Sequence, residues 1–236
     1  MTKKAMNAEN INLDEVYRQL RTNIEFSQMD DTLKVINIVS TNPNEGKSSI
    51  ARNLARIFAD KYKKVLLIDC DLRNPSLNKQ FHVSNAMGLT NLLARFKEGM
   101  VVERAEEIQH LETGTENSLF FLSAGVRVPD PTEMLSSHRF ANFIETVKNQ
   151  FDVVILDCPP VFAVADAIPL SNVADGTLFV LSSKDTNKAD AKEAVGDLQR
   201  NGANIIGVVM TKVPGFKTKH YYGYGGYGGY GQKETV

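Results

Sequence analysis

The chain has 236 residues, a formal net charge of −1 and 42% hydrophobic residues, enough for one sizeable core with no second domain required. No block of five like charges occurs, which argues against a nucleic-acid footprint or a polybasic membrane patch. The two cysteines, Cys70 and Cys158, each follow an aspartate in an apolar stretch and fit a reduced cytosolic interior.

The opening MTKKAMNAENINLDE has no apolar signal core, and no window approaches 18 consecutive apolar residues, so a soluble protein is expected. In residues 13–27, Leu13, Val16, Tyr17, Leu20, Ile24 and Phe26 recur at spacings near three and four. This predicts an amphipathic helix whose other face carries Glu15, Arg18 and Arg21. From the pattern alone that face is solvated, with an intrahelical Glu15–Arg18 pair.

Residues 35–49, VINIVSTNPNEGKSS, run from an apolar strand through a polar turn into Gly46-Lys47-Ser48 at the start of a helical pattern. That layout is a phosphate loop: backbone N–H groups wrap an oligophosphate, a helix N-terminus points at it, and a lysine reaches its terminal groups. The usual G-x-x-x-x-G-K-[ST] string has Thr41 in place of its first glycine. Asn42 and Asn44 offset this in part, because asparagine visits the left-handed backbone region readily.

A helix is expected over residues 49–62, with Ile50, Leu54, Ile57 and Phe58 inward, then a buried strand over 64–70 (KVLLIDC). Residues 74–109 contain Pro75, Phe81 and helical stretches around 89–96 and 100–109, with no chemical signal. Further strands are expected at 118–122, 151–157, 176–181 and 204–210, with helices at 139–149 and 188–201. The fold class is therefore α/β, a P-loop NTPase-like, mostly parallel sheet with helices on both faces. Residues 1–214 form its domain. Residues 215–236 carry Tyr221, Tyr222, Tyr224, Tyr227 and Tyr230 among glycines, and composition predicts a flexible tail.

Asp69 and Asp71 follow the strand VLLI in the pattern Asp-x-Asp-x-Arg ending at Arg73, and Asp157 follows VVIL before Cys158-Pro159-Pro160. One such aspartate is as readily a helix cap or turn residue. Three at strand carboxyl ends beside a phosphate loop converge where parallel sheets bind ligands, and can divide proton transfer from metal support. His82, His110, His138 and His220 lack metal-ligand spacing.

The combination resembles the bacterial tyrosine kinases of capsule and exopolysaccharide operons in low-GC Gram-positive bacteria. The likeness rests on S-x-x-P-x-E-G-K-S (Ser40 to Ser48), D-x-D-x-R (Asp69, Asp71, Arg73), D-x-P-P (Asp157, Pro159, Pro160), the tyrosine cluster, and Glu15, Arg18 and Arg21 in an E-x-x-R-x-x-R spacing. It spans Glu15 to Tyr230 and departs at Asn44, where the family most often has glycine.

The resemblance implies Mg²⁺ with ATP on a loop formed by Asn44, Glu45, Gly46, Lys47, Ser48 and Ser49, with Arg73 nearby. Lys47, Asp69, Asp71 and Asp157 would be catalytic, Asp69 acting as base. Ser48, Asp71 and Asp157 would serve the metal, and the tail tyrosines would be the phosphoacceptors. It further implies a homo-oligomeric ring joined through Glu15, Arg18 and Arg21, a membrane-anchored activator, a cognate phosphatase, and a cytoplasmic location at the inner membrane face. Two rivals share the fold or the nucleotide: a positioning ATPase of the cell-division or plasmid-partition type, and a non-catalytic nucleotide-gated adaptor. The former carries a lysine early in its loop, where this chain has Asn42.

Overall fold

The computed structural model describes residues 12–27, 33–113 and 116–214. The tyrosine cluster and the expected flexible tail lie outside them. Strands β1 (Val35–Ser40), β2 (Lys64–Asp69), β3 (Ile108–Leu111), β4 (Ser118–Leu122), β5 (Val153–Asp157), β6 (Gly176–Ser182) and β7 (Ile205–Thr211) form one sheet in the order β3-β4-β2-β5-β1-β6-β7. All pairings are parallel except β3 with β4. The inner strands are apolar along their whole length because helices cover both of their faces.

One face is covered by α1 (Leu13–Phe26) and α2 (Lys47–Ala59), which bury Ile50, Leu54, Ile57 and Phe58 against Ile36, Ile38, Leu67 and Ile155. The other carries α4 (Leu89–Arg95), which follows the single turn α3 (Leu77–Phe81), and α6 (His138–Gln150), which follows the short α5 (Pro131–Leu135). Next come α7 (Ala167–Asn172) and α8 (Lys188–Arg200). Here Phe140, Phe143 and Ile144 of α6 pack on Leu66, Ile68, Val154 and Leu156. Alternate residues of β2 and β5 thus feed two different cores. Among the described residues no helix is long and apolar enough to cross a membrane.

Three expectations need correction. Residues 100–109 are not helical: a 3₁₀ turn at Val102–Arg104 leads into β3. In Ile108–Leu111 only Ile108 is buried and His110 is exposed, and four residues are too short a strand to stand out beside a charged stretch. On α1, Tyr17 and Ile24 are buried, but Leu13, Val16 and Phe26 are 38%, 42% and 73% exposed, so the apolar stripe is narrower than its spacing suggests. Arg21 is not on the solvated face. Its Nη1 donates to the Ile57 carbonyl of α2 at 2.5 Å, while Glu15 and Arg18 form an exposed pair at 3.6 Å. Asn53 donates to the Tyr17 hydroxyl at 3.2 Å and Arg56 pairs with Asp14, so α1 is fastened along α2.

The segment between α3 and α4 is closed by Gly88. Leu89 and Thr90 donate their N–H groups to the carbonyls of Ser123 and Ala124 beyond β4, at 2.7 and 3.0 Å. A Cβ on Gly88 would lie 2.2 Å from the Ser123 carbonyl oxygen and 2.5 Å from the Gly125 nitrogen, both backbone atoms that cannot swing aside. Gly88→Ala is expected to cost about 1–3 kcal/mol through this overpacking, read as a Tm lowered by several degrees in thermal melts.

Candidate active site

The site lies at the carboxyl ends of β1, β2 and β5. Backbone pairing sets Asp69 opposite Asp157 in register, so the two carboxylates end neighbouring strands at one level and on the face covered by α2. Between β1 and α2 the chain turns through two left-handed residues, Asn44 at φ 63° and Gly46 at φ 102°. Asn44 thus holds the backbone conformation expected of it. No side chain caps α2 and no acidic residue lies in its first turn. Its 13 residues therefore direct uncapped N–H groups and the positive end of the helix dipole outward beyond β1, an anion-binding arrangement.

Lys47 is buried at the first position of this helix, close enough to Asp71 and Asp157 to favour their charged forms. Asp69 is fully buried. Its Oδ2 accepts the N–H groups of Ser76 and Leu77 at 3.2 and 3.1 Å, and its Oδ1 that of Asp71 at 3.2 Å. Burial, reinforced by the neighbouring Asp157, pushes its carboxyl well above the usual carboxylate range despite these bonds. Asp71 is less enclosed and accepts the Asn74 N–H at 3.0 Å; burial raises its carboxyl too. Asp157 is pushed up to about 7 by burial, opposed by the Ser48 hydroxyl and Lys47. Its Oδ1 is buried with no hydrogen-bond partner, and the Ser76 hydroxyl donates to Ser48 at 3.0 Å.

An unpartnered carboxylate oxygen beside a serine hydroxyl and a second, looser aspartate is the hard oxygen set that suits Mg²⁺. Among the described residues no three His, Cys, Asp or Glu side chains form a metal cage. Cys70 and Cys158 stand one residue beyond the paired aspartates, buried in the opposite core with free thiols that burial pushes up.

Two expected ligands face elsewhere. Glu45 is 1% exposed, with Oε2 accepting the Asn42 N–H at 3.0 Å and Oε1 the Thr186 hydroxyl, so its carboxylate braces the loop from inside. Arg73 forks onto the fully buried Asp166, at 2.9 Å from Nε and 3.3 Å from Nη2, and also donates to Thr132 at 2.9 Å. Ser49 lies in the first turn of α2, whereas Glu15 and Arg18 lie on the outer side of α1. Sequence reasoning missed Asp166, Thr132, Thr186 and Thr211. Only Asp166 had a signal, as a lone charge within VFAVADAIPL.

A family model described as an AAA domain matches residues 33–187. Tyrosine-protein kinase YwqD of Bacillus subtilis is 39% identical over 219 residues, 93% of this chain and 89% of that protein. Tyrosine-protein kinase CpsD of Streptococcus pneumoniae is 36% identical over 85% of this chain and 84% of its own length. The crystal structure of the chimerical protein CapA2B2 superposes with a TM-score of 0.77 at 33% identity, over 85% of this chain and 84% of that one.

The burial of Asp157 carries a sign. A carboxyl raised from 3.8 to about 7 in the fold contributes stability at acid pH that is lost as pH rises from about 4 through 7. Asp157→Asn removes that loss. The variant, free of nucleotide, is expected to exceed the parent by roughly 2–4 kcal/mol at pH 8 and by progressively less toward pH 4, in urea melts at each pH. An equal difference at both ends would contradict the buried, protonated state.

Proposed function

The chain belongs to the bacterial tyrosine-protein kinases, and from that membership we propose that it phosphorylates its own C-terminal tyrosine cluster, in trans within an oligomer. The observation that carries this reading is the in-register Asp69–Asp157 pair facing Lys47 and the uncapped first turn of α2. Phosphoryl transfer asks mainly for positioning and charge neutralisation, and this arrangement supplies both.

The first-turn N–H groups of Lys47, Ser48 and Ser49 bind the ATP phosphates, and the Lys47 ammonium offsets their charge. Ser48, Asp71 and Asp157 hold Mg²⁺, which supplies neutralisation of the β- and γ-phosphate charge when bound. Asp69 accepts the proton of the tyrosyl hydroxyl. The N–H groups of Asp71, Ser76 and Leu77 fix the position of that carboxylate at the end of β2. Arg73, held by Asp166 and Thr132, fixes the turn that carries Asp71.

Tyr221, Tyr222, Tyr224, Tyr227 and Tyr230 are the acceptors. Each gains about −1.5 to −2 charge on modification, so a modified segment is repelled from an acidic cleft and the assembly loosens. Glu15 and Arg18, exposed on α1, serve the subunit contact, with Arg21 holding α1 to its own α2. One relative is named a putative tyrosine-protein kinase in a cps region. By that likeness the activity regulates capsular or extracellular polysaccharide synthesis and export. A membrane-anchored activator recruits the kinase to the inner face of the membrane, and a phosphatase resets it.

The test is intact mass spectrometry of protein from its native host, before and after phosphatase, alongside Lys47→Met. Phosphatase-removable mass on residues 221–230, absent from Lys47→Met, is the expected result. A further variant, Asp69→Asn, should retain MgATP binding while losing at least ~100-fold in phosphorylation rate. An unmodified cluster with ATP still hydrolysed would overturn self-phosphorylation of the tyrosine cluster.

A further inference from the structure

The phosphate loop is tied to the far end of the sheet by a set of hydroxyl contacts that the reaction itself does not require. The Thr211 hydroxyl, on the last residue of β7, donates to the Glu45 carbonyl at 2.6 Å, and its methyl occupies the space against Gly46, 3.1 Å from where a Cβ would stand. The same hydroxyl lies 3.2 Å from the Leu181 carbonyl of β6. One proton thus has two acceptors, one on the loop and one on the strand.

Thr186 completes the link. It donates to the Glu45 carboxylate and accepts the Ser182 N–H at 2.7 Å, while Ser183 donates its N–H to the Thr211 carbonyl at 2.9 Å. Next in the chain, Lys212 adopts φ 51° and pairs with Asp185 at 2.6 Å; Asp185 in turn accepts the Ser182 hydroxyl. The loop at 41–46, the turn at 182–186 and the root of the C-terminal segment at 211–212 are therefore one hydrogen-bonded unit.

We propose that Thr211, with Thr186 and Glu45, is a positioning device through which nucleotide on the phosphate loop sets the exit of the segment that carries the tyrosines. It rests on the reading of that loop as the nucleotide site. Phosphate drawing the loop N–H groups onto itself moves the Glu45 carbonyl relative to Leu181, and the Thr211 hydroxyl redistributes between the two. Because Thr211 and Lys212 are adjacent, the change reaches the first residues beyond the sheet.

Titration calorimetry with MgADP and peptide-level amide exchange of residues 207–214 test this on the full chain. The parent and Thr211→Ser, which keeps the hydroxyl, are expected to bind MgADP and to slow exchange at 207–214 on binding. Thr211→Val, which keeps shape but loses the donor, should bind about fivefold more weakly and lose that slowing. Binding with unchanged exchange in the parent, or Thr211→Val behaving as the parent does, overturns the coupling and leaves the kinase reading intact. No MgADP binding by the folded parent would overturn the nucleotide site and the coupling with it.

Discussion

Everything in this molecule turns on the burial of two carboxylates side by side at the ends of β2 and β5. Placing like charges in register where water is excluded opposes folding, and both groups accordingly hold their protons more tightly than free aspartate does. The fold tolerates this because the surrounding layout is rigid: strands buried on both faces, three backbone N–H groups on Asp69, and a lysine at the head of α2. A site so arranged is incomplete in the physical sense, with an oxygen of Asp157 lacking a partner. In the proposed reaction, cation and phosphate together would supply what the polypeptide withholds.

Most of the architecture was legible in the sequence because buried parallel strands announce themselves as continuous apolar runs, and VINIVS, KVLLID and VVILD leave little ambiguity. The phosphate loop was legible despite its missing first glycine, since strand, Gly46-Lys47-Ser48 and amphipathic helix occur in the required order. Strand β3 was hidden because its four residues, IQHL, follow a charged 3₁₀ turn and pair antiparallel at an edge. The split of α1 into buried Tyr17 and Ile24 and exposed Leu13 and Val16 was hidden for another reason. Periodicity gives a face but not its width.

Within the site, residues that act through backbone geometry were easier to foresee than those that act on other side chains. Asn44 sits in the left-handed region that its type favours. The inward turn of Glu45 and the fork of Arg73 onto Asp166 depend on partners 141 and 93 residues away in sequence, and no local pattern encodes such separations. Glu45 illustrates the point: a charged residue inside a phosphate motif reads as a ligand, whereas here its carboxylate is taken up by the Asn42 N–H and the Thr186 hydroxyl.

The fastening of α1 along α2 has a mechanical side. Helix α2 is a rod about 20 Å long, with Lys47 at one end and Arg56 and Ile57, the residues that hold Asp14 and Arg21 of α1, near the other. Force applied to the outer surface of α1 is delivered to that far end and travels along a single stiff element to the phosphate-facing turn. With the subunit contact proposed for α1, quaternary contact and phosphate-loop alignment would share one lever, and a neighbour that tilted α1 would re-aim Lys47 without touching the cleft.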